Sequence, residues 1–216
     1  MSEFYFLMAD IDRLNPDLGG SEVNQVDRSP IHATLTTPDG PVEIAEDLFF
    51  WLGTEEPFHV PEPVEFTGFF PTVLETDMPI AEKRLPLISR ALLTTLLEVG
   101  DFPHRVITTR ITDDVEASGG DPDYPVGRTT DAYILLQVLG HLDILDLERS
   151  EYGRHNERTG SVTGLEKAVL HLPKSGLPPL FCLKPARRHL LVSAAGRAAL
   201  EAAGIRGVRF SDNPYY

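Results

Sequence analysis

Leu180-Phe-Cys-Leu-Lys-Pro185, and after it His189-Leu-Leu-Val-Ser-Ala-Ala-Gly-Arg-Ala-Ala-Leu-Glu-Ala-Ala-Gly-Ile-Arg-Gly-Val-Arg-Phe210, decide how this chain reads. The two pieces spell strand, strand, capped helix and short strand. Ser193 stands at the N-cap, where its hydroxyl accepts a backbone N–H of the first helical turn. Ala194 to Ala203 are nearly all strong helix formers, with one weak point at Gly196. Gly204 falls where a left-handed residue ends a helix, and Ile205 falls where a Schellman ending packs an apolar side chain back on Leu200. Val208 and Phe210 then make a terminal strand.

This segment resembles the C-terminal signature of a bacterial family first catalogued as a domain of unknown function and later grouped with the immunity proteins of polymorphic toxin systems. The matching pieces are Leu180-Phe181-Cys182-Leu183, Val192-Ser193, and Leu200 to Phe210 with its Ala-Gly-Ile-x-Gly-Val-x-Phe ending. Two upstream stretches are also similar. Leu92 to Arg105 looks like the family's helix-to-strand passage, and Tyr133 to Tyr152 looks like its central strand and acidic turn. The resemblance covers roughly residues 85–210. It implies a protein that binds a cognate toxin or effector, and its motifs look structural, so it carries over no catalytic residue.

Outward from that segment the chain alternates strands with few helices. Phe4 to Ala9, Ile31 to Thr36, Val106 to Ile111, Tyr133 to Leu139 and Leu165 to Leu172 read as strands. Thr37-Pro-Asp-Gly40 is a turn, because Pro presets φ and Gly accepts positive φ. Leu85, Ile88, Leu92, Leu96 and Val99 keep helical spacing, so a helix is expected over 80–99, with Pro86 limiting its start and Gly100 ending it. Four prolines in residues 54–71 predict extended or edge structure, and residues 112–130 a long acidic loop. The expected fold class is α+β: a mixed or antiparallel sheet with two main helices, about 80–99 and 194–203, packed on it. One domain is expected over 1–216, with an acidic N-terminal half (1–131) and the family-like core (85–210).

Charge narrows the partners. Residues 1–131 carry 25 acids against 8 Lys and Arg, whereas residues 132–216 carry 8 acids against 11. From Ser29 to Glu82 there are eleven carboxylates and no Lys or Arg. Such a face repels nucleic acid and anionic membrane, since phosphate binding needs clustered cations. It suits a partner protein that is basic at the contact. The plainer reading is that acidity keeps the protein soluble. No apolar run reaches the length of a bilayer span, and Met1-Ser-Glu-Phe lacks a basic n-region, so a cytoplasmic protein is expected. Cys182 is the single cysteine, which fits a reducing compartment and a small core residue.

Chemistry is thinly written. The seven histidines are dispersed and one cysteine cannot build a zinc box. Nucleotide-binding glycine motifs and the G-x-S-x-G elbow are missing. The aspartates between Asp113 and Asp123 lack the fixed positions of a calcium loop. His141 beside Asp143 is read first as a polar loop pair, with a catalytic pair as the alternative. No metal and no cofactor is expected, and no catalytic residue is assigned.

One cluster stands out as a binding surface. Glu43, Glu46 and Asp47 lead into Phe49-Phe50-Trp51, followed by Glu55, Glu56, Glu62 and Glu65. Aromatic anchors rimmed by charge have the composition of hot spots, although core packing is the commoner fate of such rings. Alternation along a strand would turn at least one ring outward. Partner contact is therefore expected at Glu43, Glu46, Asp47, Phe50, Trp51, Glu55, Glu56, Glu62 and Glu65. The expected function is inhibition of a cognate toxin or effector, not catalysis. Two other readings stay open: an intracellular inhibitor of a co-encoded secreted hydrolase such as a protease, and an enzyme built on dispersed carboxylates and His141. The residues leave the oligomeric state open.

Overall fold

The computed structural model describes residues 3–10, 26–28, 33–37, 40–44, 50–53, 58–60, 62–81, 85–114 and 123–214. It is α+β, as the pattern of elements predicts, with most of its regular structure in strands. The deciding segment folds as read. Strands β13 (Leu180–Phe181) and β14 (Leu190–Ser193) run into a helix over Ala194–Ala202, and a short strand, Val208–Ser211, follows. The Ser193 hydroxyl accepts the Gly196 N–H at 3.1 Å, which fixes the helix start. At the other end the Ile205 N–H donates to Leu200 O and the Gly204 N–H to Glu201 O. These are the two bonds of a Schellman ending, with Gly204 at φ +69°.

β1 (Phe4–Ala9) explains why its apolar run is unbroken. It lies inside a four-stranded antiparallel sheet in the order β13-β14-β1-β15, where β15 is Val208–Ser211. Successive side chains of a strand point to opposite faces. Tyr5 and Leu7 join one hydrophobic cluster, while Phe4, Phe6 and Met8 join a second. The sheet is thus a wall between two cores. The second core is completed by Val162 and Leu165 of an antiparallel hairpin, β11 (Glu151–Asn156) with β12 (Ser161–Lys167). That hairpin sits earlier than the strand expected over 165–172, where Leu170 makes only an isolated bridge with Leu145.

The first core belongs to a larger mixed sheet. Its order is β2-β6-β8-β10-β7, made from Val26–Arg28, Val64–Gly68, His104–Asp113, Tyr133–Val138 and Leu87–Ser89, with β9 (Thr129–Thr130) also on β8. β6 and β8 pair in parallel, with Glu65 opposite Arg110 and Gly68 opposite Asp113. β8 alternates strictly: Ile107, Thr109, Ile111 and Asp113 are buried, while Thr108 and Arg110 are exposed. A separate three-stranded sheet, β4-β3-β5, contains Gly40–Ile44, Ala33–Thr37 and Phe58–His59.

The strands between residues 54 and 71 and the helix expected over 80–99 each take a definite form. The proline-rich stretch 54–71 is extended, as expected: β5 lies at the edge of its sheet, whereas β6 is internal, flanked by β2 and β8. Its prolines lie outside the ladder: Pro63 precedes the strand and Pro71 opens a one-turn helix, α1 (Phe70–Val73). The helix expected over 80–99 is α2, Arg90–Val99. Leu87, Ile88 and Ser89 pair instead with Leu135, Ile134 and Tyr133 as β7. Ser89 then caps α2, accepting the Leu92 N–H at 3.0 Å. The apolar spacing at Leu85 and Ile88 suits either structure, and burial against β10 decides for the strand. α2 packs beside α3 (Ala194–Ala202), so both expected helices are present. No helix among the described residues is long and apolar enough to cross a membrane.

Candidate docking surface

The structure divides the nine expected contact residues. Glu43 is exposed on β4. Glu46, Asp47, Glu55 and Glu56 lie outside the described residues. Phe50 and Trp51 are 1% and 7% exposed and belong to the larger core, which corrects their assignment as surface anchors. They sit in a turn rather than a strand, so alternation never applies and both rings pack inward.

Glu62 and Glu65 are at the surface, and each already has internal work. Glu62 Oε2 accepts both the Thr108 N–H at 2.8 Å and the Thr108 hydroxyl at 2.6 Å. Just ahead of β6, this carboxylate thus takes up a backbone donor of β8. Glu65 pairs with Arg110 at 3.5 Å, both about half exposed, which makes a weak, salt-screened contact. The base-free run of 29–82 is therefore not a base-free surface. Parallel pairing of β6 with β8 lays Arg110 beside Glu65.

A second cluster has no counterpart among the expected contacts. Asp113, at the end of β8, has a side chain with no solvent exposure. Its Oδ1 accepts the Phe70 N–H at 2.9 Å and the Tyr124 hydroxyl at 3.0 Å. Its Oδ2 accepts Arg128 Nε at 2.8 Å and also Arg128 Nη2. Arg128 Nη2 reaches the Tyr124 oxygen as well, at 2.7 Å. The guanidinium lies over the Phe70 ring at 5.2 Å and the Tyr124 ring at 4.9 Å, while Phe69 stacks on Tyr124 at 5.8 Å. Loss of water, then the Asp113 hydrogen bond, raise the Tyr124 hydroxyl above its ordinary value. The same carboxylate holds Arg128 still more firmly protonated. Two signals for this cluster exist in the sequence. Asp113 continues the buried alternation of β8, and a buried carboxylate needs donors. Arg128 is the sole Lys or Arg between residues 111 and 148.

The residues considered for catalysis point elsewhere. His141 Nε2 donates to Val138 O at 3.1 Å, and burial followed by the nearby Arg187 lowers its pKa. Asp143 turns to Lys184 at 3.3 Å, with both groups about two-thirds exposed. Cys182 is fully enclosed, and burial pushes its thiol up, away from the reactive thiolate. No three His, Cys, Asp or Glu among the described residues are grouped to hold a metal ion. No protein-family model and no curated protein matches this chain.

Proposed function

We propose that this chain is an immunity protein of the family its C-terminal segment resembles: it binds a cognate toxin or effector in the cytoplasm and blocks it. The observation that carries the reading is the charge asymmetry. Eleven carboxylates fall between Ser29 and Glu82 without a Lys or Arg in that run, and Glu43 and Glu75 are exposed. A basic active site or substrate groove is the natural counterpart of such a surface. Complementary fields speed encounter and disfavour wrong partners. An interface of ordinary size buries on the order of 1,600 Å².

The test uses the protein encoded next to this chain. The two are co-purified at low and at high salt, and the neighbour's activity is measured with and without one equivalent of this chain. A one-to-one complex that silences the neighbour and loosens with salt supports the reading. A neighbour that stays fully active at stoichiometric ratio overturns it.

A further inference from the structure

We infer that the loop tip Tyr124-Pro125-Val126-Gly127-Arg128 is the anchor of that interface, inserting Val126 into an apolar pocket rimmed by Lys or Arg on the partner protein. The inference rests on the inhibitor reading above and assigns it a contact residue.

Val126 is 76% exposed, the most exposed of the large hydrophobic side chains among the described residues. Its position is not left to a wandering loop. Tyr124 and Arg128, on either side of the tip, both bond to the buried Asp113 carboxylate. The Asp113 N–H donates to Arg128 O at 2.9 Å, so the backbone is fastened too. Phe69 stacks on Tyr124 and the Arg128 guanidinium also lies against its ring, which leaves that ring little freedom. An apolar side chain held at the end of a clamped turn loses little entropy on binding, and such preorganisation favours affinity.

Charge selects the occupant. Among the described residues of this loop, Asp114, Asp123 and Asp131 stand beside one base, Arg128, whose charge already faces Asp113. Asp114 and Asp123 flank the clamp. An anionic lipid surface would be repelled, and a second copy of this chain would bring like charges together. A basic protein surface with an apolar recess fits both the Val126 tip and its acidic surroundings.

The experiment titrates the neighbour-encoded protein with wild-type chain, Val126→Arg, and Leu172→Arg as a control at another exposed apolar residue. Val126→Arg is expected to weaken binding by roughly tenfold or more while keeping the wild-type melting temperature, and Leu172→Arg to change neither. A complex that tolerates Val126→Arg overturns the anchor and leaves the inhibitor reading standing. A wild-type chain that forms no complex overturns the reading, and the anchor with it. Loss of binding by Leu172→Arg as severe as that of Val126→Arg also overturns the anchor, because the effect would then be one of added charge.

Discussion

Gly207 lies against Thr76 so closely that a Cβ at position 207 would overlap the Thr76 side chain. The two residues are 131 positions apart, and their contact fastens the C-terminal ending to the turn before β7. Asp77 N donates to Arg206 O at 2.8 Å, and Arg206 N donates to Asp77 Oδ2 at 2.8 Å. Asp10 N also donates to Gly207 O at 2.9 Å, so β1 shares the same fastening. Gly207 holds φ +66°, a region L side chains avoid.

Gly207→Ala is therefore expected to combine backbone strain with a steric clash and to destabilise by about 2–4 kcal/mol. Gly204→Ala is the informative comparison. Gly204 has a similar φ, +69°, but a methyl group there would meet nothing within 4 Å. Its substitution is expected to lose only about 1–2 kcal/mol, the conformational part. Urea denaturation of both variants measures the difference. Equal losses would mean that Thr76 yields and that packing at Gly207 is unimportant.

The Asp113 carboxylate predicts a larger effect than any surface acid. Four donors converge on it, and its side chain is completely enclosed. Asp113→Ala strands the Phe70 N–H and leaves Arg128 without its counter-charge, a change that costs about 3–5 kcal/mol for fully buried pairs. Arg128 is partly exposed, so about 2–4 kcal/mol is expected here. Glu65→Ala, which removes one half of an exposed pair, is expected to change stability by less than about 1 kcal/mol. Denaturant midpoints of the two variants check the ranking.

The contrast between the Schellman ending and the Asp113 clamp shows where the sequence is legible. Ser193 and Gly196, or Leu200 and Ile205, are partners within five positions, and local rules name them. The doubly buried run of β1 is also readable, since no polar residue interrupts Phe4 to Ala9. Leu87 to Ser89 are not, because their apolar spacing fits a helix until β10 supplies a strand partner. Glu65 and Arg110 are 45 positions apart and meet only through parallel pairing. Phe50 and Trp51 show the same limit in the site: composition marks rings near charge, and only the packed chain says that they face inward.

His141 predicts a dependence on pH. Its imidazole is half-buried, and burial together with Arg187 lowers its pKa. The unfolded chain takes up the proton near the ordinary value of about 6.5, the folded chain only at lower pH. Between those values the unfolded state binds more protons, so acidification favours unfolding. The contribution is complete above about pH 6.5 and is lost as the pH falls toward the folded value. Melting temperatures of wild type and His141→Gln at neutral and mildly acid pH test this. The wild type is expected to lose more on acidification than the variant. An identical loss would assign the acid sensitivity to other groups.

Cys182 lies where the two cores meet, and this makes it a reporter of their coupling. Cys182 itself belongs to the larger cluster, while its neighbours Phe181 and Leu183 belong to the second. Its carbonyl accepts the Leu142 N–H at 2.9 Å. Burial disfavours the thiolate, the form that attacks a disulfide reagent. Reaction with an aromatic disulfide therefore requires opening of the sheet that separates the clusters. If the cores unfold as one unit, the labelling rate will follow global stability and rise in step with the urea transition. Gly207→Ala should then accelerate labelling as far as it destabilises the chain. Fast labelling in the absence of urea, insensitive to Gly207→Ala, would show that the second core opens by itself, with the wall formed by β1 and β14 remaining attached to the first.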